Sequence, residues 1–251
     1  MNLALRSMIA LATGLAPVAA MVPTSAIAQE KGYAALEKLP DWSGVWQPDW
    51  SGLFGTTPPK PPTLTPAAKK VQDEFNAKKA KGENLQHEQA NCIPPGVPGI
   101  MRQPYPIEFI FSPGRVTLLH ETYSQVRRFY TDGRKLPDDP DPAFNGSSVA
   151  HWEGDTLVVE TIGFNPVTSL MEAIHPTEKT RMVERFHLTG PDTLTVDSEI
   201  SDPDVFVGTF ARTINYARHR DWQIREYVCE ENNRDKADEF GRPSMNIDKD
   251  K

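Results

Sequence analysis

From Ile107 to Cys229 the chain repeats one plan: a run of five to twelve residues with strand character, then a break carrying Gly, Pro or Asp. The clearest unit is Ser147–Asn165, which reads as two strands joined by a turn at Glu153-Gly154-Asp155. Gly154 can supply the positive φ that such a turn needs. The second arm, Thr156–Ile162, is rich in β-branched residues that suit a pleated surface. The full series is Ile107–Phe111, Val116–Tyr123, Gln125–Thr131, Ser147–Glu153, Thr156–Ile162, Thr180–Leu188, Thr193–Ile200, Phe206–Ala217 and Trp222–Cys229. Connections at Ser112-Pro113-Gly114, Thr189–Asp192 and His219–Asp221 are short, which requires antiparallel neighbours. Asp132–Gly146 and Gly163–Lys179 are longer. This pattern predicts an all-β fold: an antiparallel up-and-down barrel, lipocalin-like, of about 8–10 strands. A two-sheet sandwich is the alternative.

The segment before the strands is different. Residues 1–28 carry one cation (Arg6), an apolar run, and a small-x-small site at Ala26-Ile27-Ala28, the pattern of a cleaved export signal. Pro40–Trp46 reads as a short first strand, with Trp42 and Trp46 as core or plug aromatics. A Pro-rich connection leads to a helix over Ala67–Lys81, capped by Thr65, begun by Pro66 and ended by Gly82. Val71 and Phe75 share one face of that helix. Gly82–Pro106 can only be irregular. The domain reading is 1–28 signal, 29–106 N-terminal arm with one helix, 107–229 barrel and 230–251 polar tail.

Export bears on the thiols. Cys92 and Cys229 are the two cysteines, and two thiols in an oxidising compartment most simply pair. The formal charge of −7 becomes −8 when Arg6 leaves with the leader, and no long basic run is present, which argues against nucleic acid as a partner. No stretch after the leader is long and apolar enough to span a bilayer. The expected location is the periplasm or beyond.

Alternation across each strand then assigns faces. Glu184 keeps step with Met182, Phe186 and Leu188; Arg212 with Phe210, Ile214 and Tyr216; Glu226 with Trp222, Ile224 and Val228. His120 follows Val116 and Leu118, and Arg128 and Tyr130 follow Val126. His151, followed by Trp152, shares phase with Val149. Five strands therefore aim His120, Arg128, Glu184, Arg212 and Glu226 inward, where unpaired charge is costly. These groups must pair with one another or surround something polar. The first case is an ion network that fixes strand register; the second is a ligand pocket. No metal-ligand spacing, nucleophile elbow, phosphate loop or dinucleotide fingerprint is present, so no cofactor or metal is expected.

The run Ser148–Thr161, followed by Gly163-Phe164-Asn165, resembles the S-V-x-H-W-E-G-D-T-L-V-V-E-T signature of a large, mostly uncharacterised family of exported bacterial proteins. Arg127-Arg128 before Thr131–Arg134, Val183–Phe186, Ser201–Pro203 and Glu226–Asn233 carry the resemblance further. Ala150 stands where the family usually has Gly. The resemblance implies export and a lipocalin-like β-fold, and it implies no activity.

Three functions fit these residues. One is a cofactor-independent lyase, isomerase or hydrolase for a small, partly apolar oxygenated compound. There Arg128 and Arg212 stabilise negative charge and His120 or Glu184 moves protons. Tyr130, His151, Trp152, Phe210, Tyr216 and Glu226 would contact the substrate. The second is a periplasmic binding or carrier protein that uses the same groups only to hold ligand. The third is an envelope-associated protein with a self-paired core.

Overall fold

The computed structural model describes residues 32–49, 61–83 and 92–229. The leader and the polar tail expected at the two ends lie outside the described residues.

Among the described residues, nine strands close into one barrel in chain order. They are β1 (Val45–Pro48), β2 (Ile107–Ser112), β3 (Arg115–His120), β4 (Val126–Tyr130), β5 (Ser147–Glu153), β6 (Thr156–Ile162), β7 (Arg181–Gly190), β8 (Thr193–Ser201) and β9 (Thr209–His219). The all-β, lipocalin-like barrel expected from the strand pattern is the fold observed, and one parallel pair, β4 with β5, departs from the expected antiparallel up-and-down plan.

Two boundaries differ from the expected domain reading. The arm is not separate, because Val45–Pro48 is the barrel's first strand and pairs with both β2 and β9. At the other end, Trp222–Cys229 forms no strand. The physical reason is closure: β9 already bonds β8 on one edge and β1 on the other, so no edge remains for a further strand. The segment instead crosses the outside of the barrel. Its Arg225 N–H donates to Glu121 Oε2 at 2.9 Å, and Cys229 bonds Cys92 with Cα atoms 5.7 Å apart.

Nine is odd, and that has a consequence. Strands that alternate direction can close a ring only in even number, so one neighbouring pair must run parallel. That pair is β4 and β5, joined by two register pairs, Phe129↔Ser148 and Tyr130↔Val149. Parallel neighbours need a connection long enough to return along the barrel, which the stretch 131–146 provides. The β4–β5 seam and the β1–β2 junction, which is also joined by two register pairs, Val45↔Glu108 and Trp46↔Ile107, are thus the least-paired parts of the wall.

The interior is filled, as expected for a barrel of this size. Trp42 plugs one end, with its ring 4.9 Å from Phe109 and 5.4 Å from Trp152 between centroids. Trp46, Leu118, Phe129, Leu157, Phe186 and Leu194 are fully buried around it. Arg218 bolts the β1–β9 closure: its guanidinium lies 4.4 Å from the Trp46 ring and donates to the carbonyls of Asp41 and Pro191. The opposite part of the barrel is covered by the segment 92–106, whose 3-10 turn Gly99–Arg102 buries Ile100 and Met101. The helix α1 (Pro66–Ala80) starts as expected, with Thr65 Oγ1 accepting from the Ala68 amide at 3.3 Å. Its expected packing face is not buried: Val71 is 50% exposed, and Ala68 is the helix's buried residue. The helix is held through its start, where the Thr65 amide donates to the Val205 carbonyl and Leu64 bridges Phe206.

Candidate functional site

The inward set forms only in part as expected. His120, Glu184, Phe210 and Tyr216 are all buried on the barrel's inner face, and Arg212 is half-buried on that face of β9. Arg128 and Tyr130 are not inward. β4 turns Arg127 and Phe129 inside, both buried, and leaves Arg128 exposed. The phase follows from the β3–β4 connection. Strand β3 ends at His120, a 3-10 turn covers Thr122–Ser124, and Leu119 pairs with Val126. Cross-strand partners share a face, so Leu118 brings Arg127 inside and Val116 brings Phe129. A strand running on to Tyr123 would have reversed that parity. Glu226 is exposed and belongs to no strand. His151 also points outward, exposed, with Nε2 3.1 Å from Glu153 Oε1, while Trp152 turns inward against Trp42.

Inside, Arg127 and Glu184 pair with each other, while His120 Nε2 and Arg127 Nε have no hydrogen-bond partner among the described residues. Arg127 grips Glu184 with both terminal nitrogens, and neither side chain is exposed. Arg127 Nη1 also meets Met101 Sδ at 3.3 Å. The Tyr216 hydroxyl donates to the Met101 carbonyl at 3.2 Å, and burial pushes its pKa up. His120 is 2% exposed, and burial, helped by the Arg127 charge, lowers its pKa to about 3. It is therefore a neutral imidazole at physiological pH, and its Nε2 has no hydrogen-bond partner among the described residues. The cluster resembles a register-fixing ion network more than an open reaction centre.

Two cavities bear on these residues. The first lies beneath the Gly99–Arg102 turn and is lined in part by Arg102, Glu184, Ser198, Phe210 and Arg212; its volume is about 10 Å³. That is room for about one water. The second is a groove of about 550 Å³ along the β4–β5 seam, roofed by the crossover segment. Arg128, Arg134, Lys135 and Tyr130 line it, with Val126, Leu136, Phe144 and Val149 as apolar surface. Asp132 neutralises Arg134 through contacts of 2.9 and 3.0 Å to Nε, and the Arg134 guanidinium lies 3.8 Å from the Tyr130 ring centre. Asn145 closes the groove's inner end by donating to Gln125 Oε1 at 3.0 Å. Arg128 and Lys135 form no ion pair among the described residues, while Asp138, Asp139 and Asp141, on the same segment, are absent from the lining.

Arg128 and Tyr130 thus face a cavity, but from the outer face of the wall. The sequence reading missed Arg127, Arg102 and Arg218. Arg218 was within reach, since it continues the alternation of Phe210, Arg212, Ile214 and Tyr216 by one more step. Arg102 carries no periodic signal, because it sits in a Pro/Gly-rich loop. Among the described residues no cluster of His, Cys, Asp and Glu could hold a metal ion.

No family model matches the chain, and no curated protein matches it.

Proposed function

We propose that the protein is an exported binding protein that carries a small, partly apolar organic acid in the β4–β5 seam groove. The observation that carries this reading is the contrast between the two cavities. The barrel interior offers about 10 Å³ beside its buried charges, whereas the groove offers about 550 Å³, within the range that accommodates small ligands. Two cations that form no ion pair among the described residues, Arg128 and Lys135, supply the attraction for an anion, and Arg128 supplies a planar fork for a carboxylate. Val126, Leu136, Phe144 and Val149 supply the contact for an apolar body. Binding is favoured over acid–base chemistry because the groups that would move protons are either paired or sealed from solvent. Both Glu184 oxygens are held by Arg127, and His120 is sealed and neutral. The expected export signal and the Cys92–Cys229 bond suit a periplasmic setting for such a carrier.

The test is a thermal-shift and NMR titration of the mature chain with small aromatic, terpenoid and aliphatic acids. Saturable binding by at least one class is expected. It should weaken at least tenfold in Arg128→Ala/Lys135→Ala, with the fold unchanged by circular dichroism. Equal binding by the double variant, or none by the wild type, would sink this assignment.

A further inference from the structure

Asn145-Gly146 is the one Asn-Gly pair in the chain. A glycine carries no side chain, so its amide nitrogen reaches the preceding asparagine carbonyl with the least obstruction. The pair is therefore the most labile Asn junction of the unfolded chain. The fold leaves no choice at Gly146: its φ is +61°, and an added Cβ would lie 2.7 Å from both the Ile162 carbonyl oxygen and Thr161 Cγ2. Asn145 in turn ties the seam at the inner end of the groove. Its Nδ2 donates to Gln125 Oε1 at 3.0 Å and to the Val126 carbonyl at 3.4 Å. The seam thus requires, at one point, two residues whose junction breaks down readily outside the fold.

Breakdown is a cyclisation. The Gly146 nitrogen attacks Asn145 Cγ, the new N–C bond forms, and the bond from Cγ to Nδ2 breaks. Nδ2 leaves as ammonia, taking the Gly146 proton with it. Water then opens the five-membered imide at one carbonyl or the other, giving aspartate or isoaspartate. The folded seam opposes each requirement. The Gly146 N–H is engaged, donating to the Ala143 carbonyl at 3.1 Å. The leaving amide is held by its two acceptors. The oxygen that must carry negative charge in the tetrahedral intermediate, Asn145 Oδ1, is buried and has no hydrogen-bond donor among the described residues. Both products misfit the seam. Aspartate has no amide hydrogens to offer the Gln125 and Val126 oxygens, and it sets a charge against them. Isoaspartate adds one carbon to the main chain just ahead of Ser148, whose register with Phe129 helps to hold β5 to β4.

We propose that Asn145 is a site of spontaneous deamidation that the folded seam suppresses, and that an unfolded chain converts it to a form the seam cannot re-accept. Loss of anion binding follows, a consequence that rests on the groove being the ligand site: the new carboxylate lies in the same groove as Arg128 and Lys135.

The full mature chain, with its disulfide intact, is held at mildly alkaline pH either native or unfolded in guanidinium chloride. The Asn145 peptide is then followed by mass spectrometry together with an isoaspartate assay. In denaturant the peptide should gain about one mass unit and isoaspartate should accumulate, while the native chain should convert at least tenfold more slowly, since reaction must wait for local opening. Gln125→Ala, which frees the leaving amide from one acceptor, should raise the native rate several-fold and leave the unfolded rate unchanged. After dilution from denaturant, converted chains should melt clearly lower than unconverted chains of the same sample. Equal rates in the native and unfolded chain, or a native rate unmoved by Gln125→Ala, would overturn the protection. Converted chains that regain the wild-type melting temperature would overturn the misfit. Asn145→Asp should bind at least tenfold more weakly any acid that wild type binds in the groove; unchanged affinity would overturn the link to ligand and leave the groove assignment standing. If wild type binds no acid, the groove assignment falls, and the rates and the refolding still decide whether Asn145 is such a site.

Discussion

His120 shows how one buried side chain writes itself into the stability of the molecule. Its folded-state pKa is about 3, against 6.5 in an open chain, because burial and the Arg127 charge oppose protonation. As pH falls below about 6.5, the unfolded chain takes up a proton that the folded chain refuses. Stability is therefore full above that pH and is lost as pH falls toward 3. One such proton gives a slope of at most about 1.4 kcal/mol per pH unit. Urea unfolding of wild type and His120→Leu between pH 7 and 5 should differ in mean slope by about 1 kcal/mol per pH unit, the variant being flatter. Parallel curves would mean that His120 is protonated inside the fold. Legibility at this scale depended on how many neighbours voted for a face. Glu184 and Arg212 each had three apolar residues in step, and both lie in their strands' inward phase. Arg128 had Val126 and Tyr130, but Arg127 had Phe129, and five residues cannot decide such a contest. The turn decided it, by ending β3 at His120 and setting the Leu119↔Val126 register.

The elements were more legible than their edges. Eight of the nine expected main strands exist, and the short arm around Val45 supplies the ninth. What was not legible was parity. A strand count alone does not reveal which pair runs parallel; the long connection after β4 was the available signal, since a parallel return needs many residues. The 92–106 segment is the other element whose role only packing reveals, because loops carry no periodicity. It seats through Gly96, with φ +61°, where an added Cβ would lie 2.4 Å from both the Phe144 carbonyl oxygen and Thr168 Cγ2. Next to it, the Val97 amide donates to that same carbonyl at 2.8 Å. Neither the left-handed backbone nor the close approach tolerates a side chain. Gly96→Ala should cost well over about 1 kcal/mol in urea unfolding and raise amide exchange at Val97 and Ile100. A variant as stable as wild type would mean that this segment rests on the barrel without being seated in it.

At the scale of the whole molecule, the Cys92–Cys229 bond lies outside the ladder of the barrel yet encloses most of it. The two cysteines are 137 positions apart, and β2 through β9 lie between them while β1 does not. Cross-linking so distant a pair restricts the unfolded chain far more than it shapes the folded one, since Trp222–Cys229 contributes no strand. Loop-closure entropy for that length gives about 5 kcal/mol as an upper figure, a large share of the stability of any single domain. The expected outcome for Cys92→Ser/Cys229→Ser is thus asymmetric. The near-ultraviolet circular dichroism from the packed Trp42, Trp46 and Trp152 should stay native, because the barrel closes through β1–β9 pairing without the bond. The midpoint in urea should fall by the equivalent of about 3–5 kcal/mol, with the denatured state more expanded and the dependence on urea steeper. A loss below about 1 kcal/mol would show that the unfolded chain is already compact without its cross-link. Loss of the native aromatic signal would instead show that the bond positions the covering segment, and with it the Met101 contacts to Arg127 and Tyr216 inside the barrel.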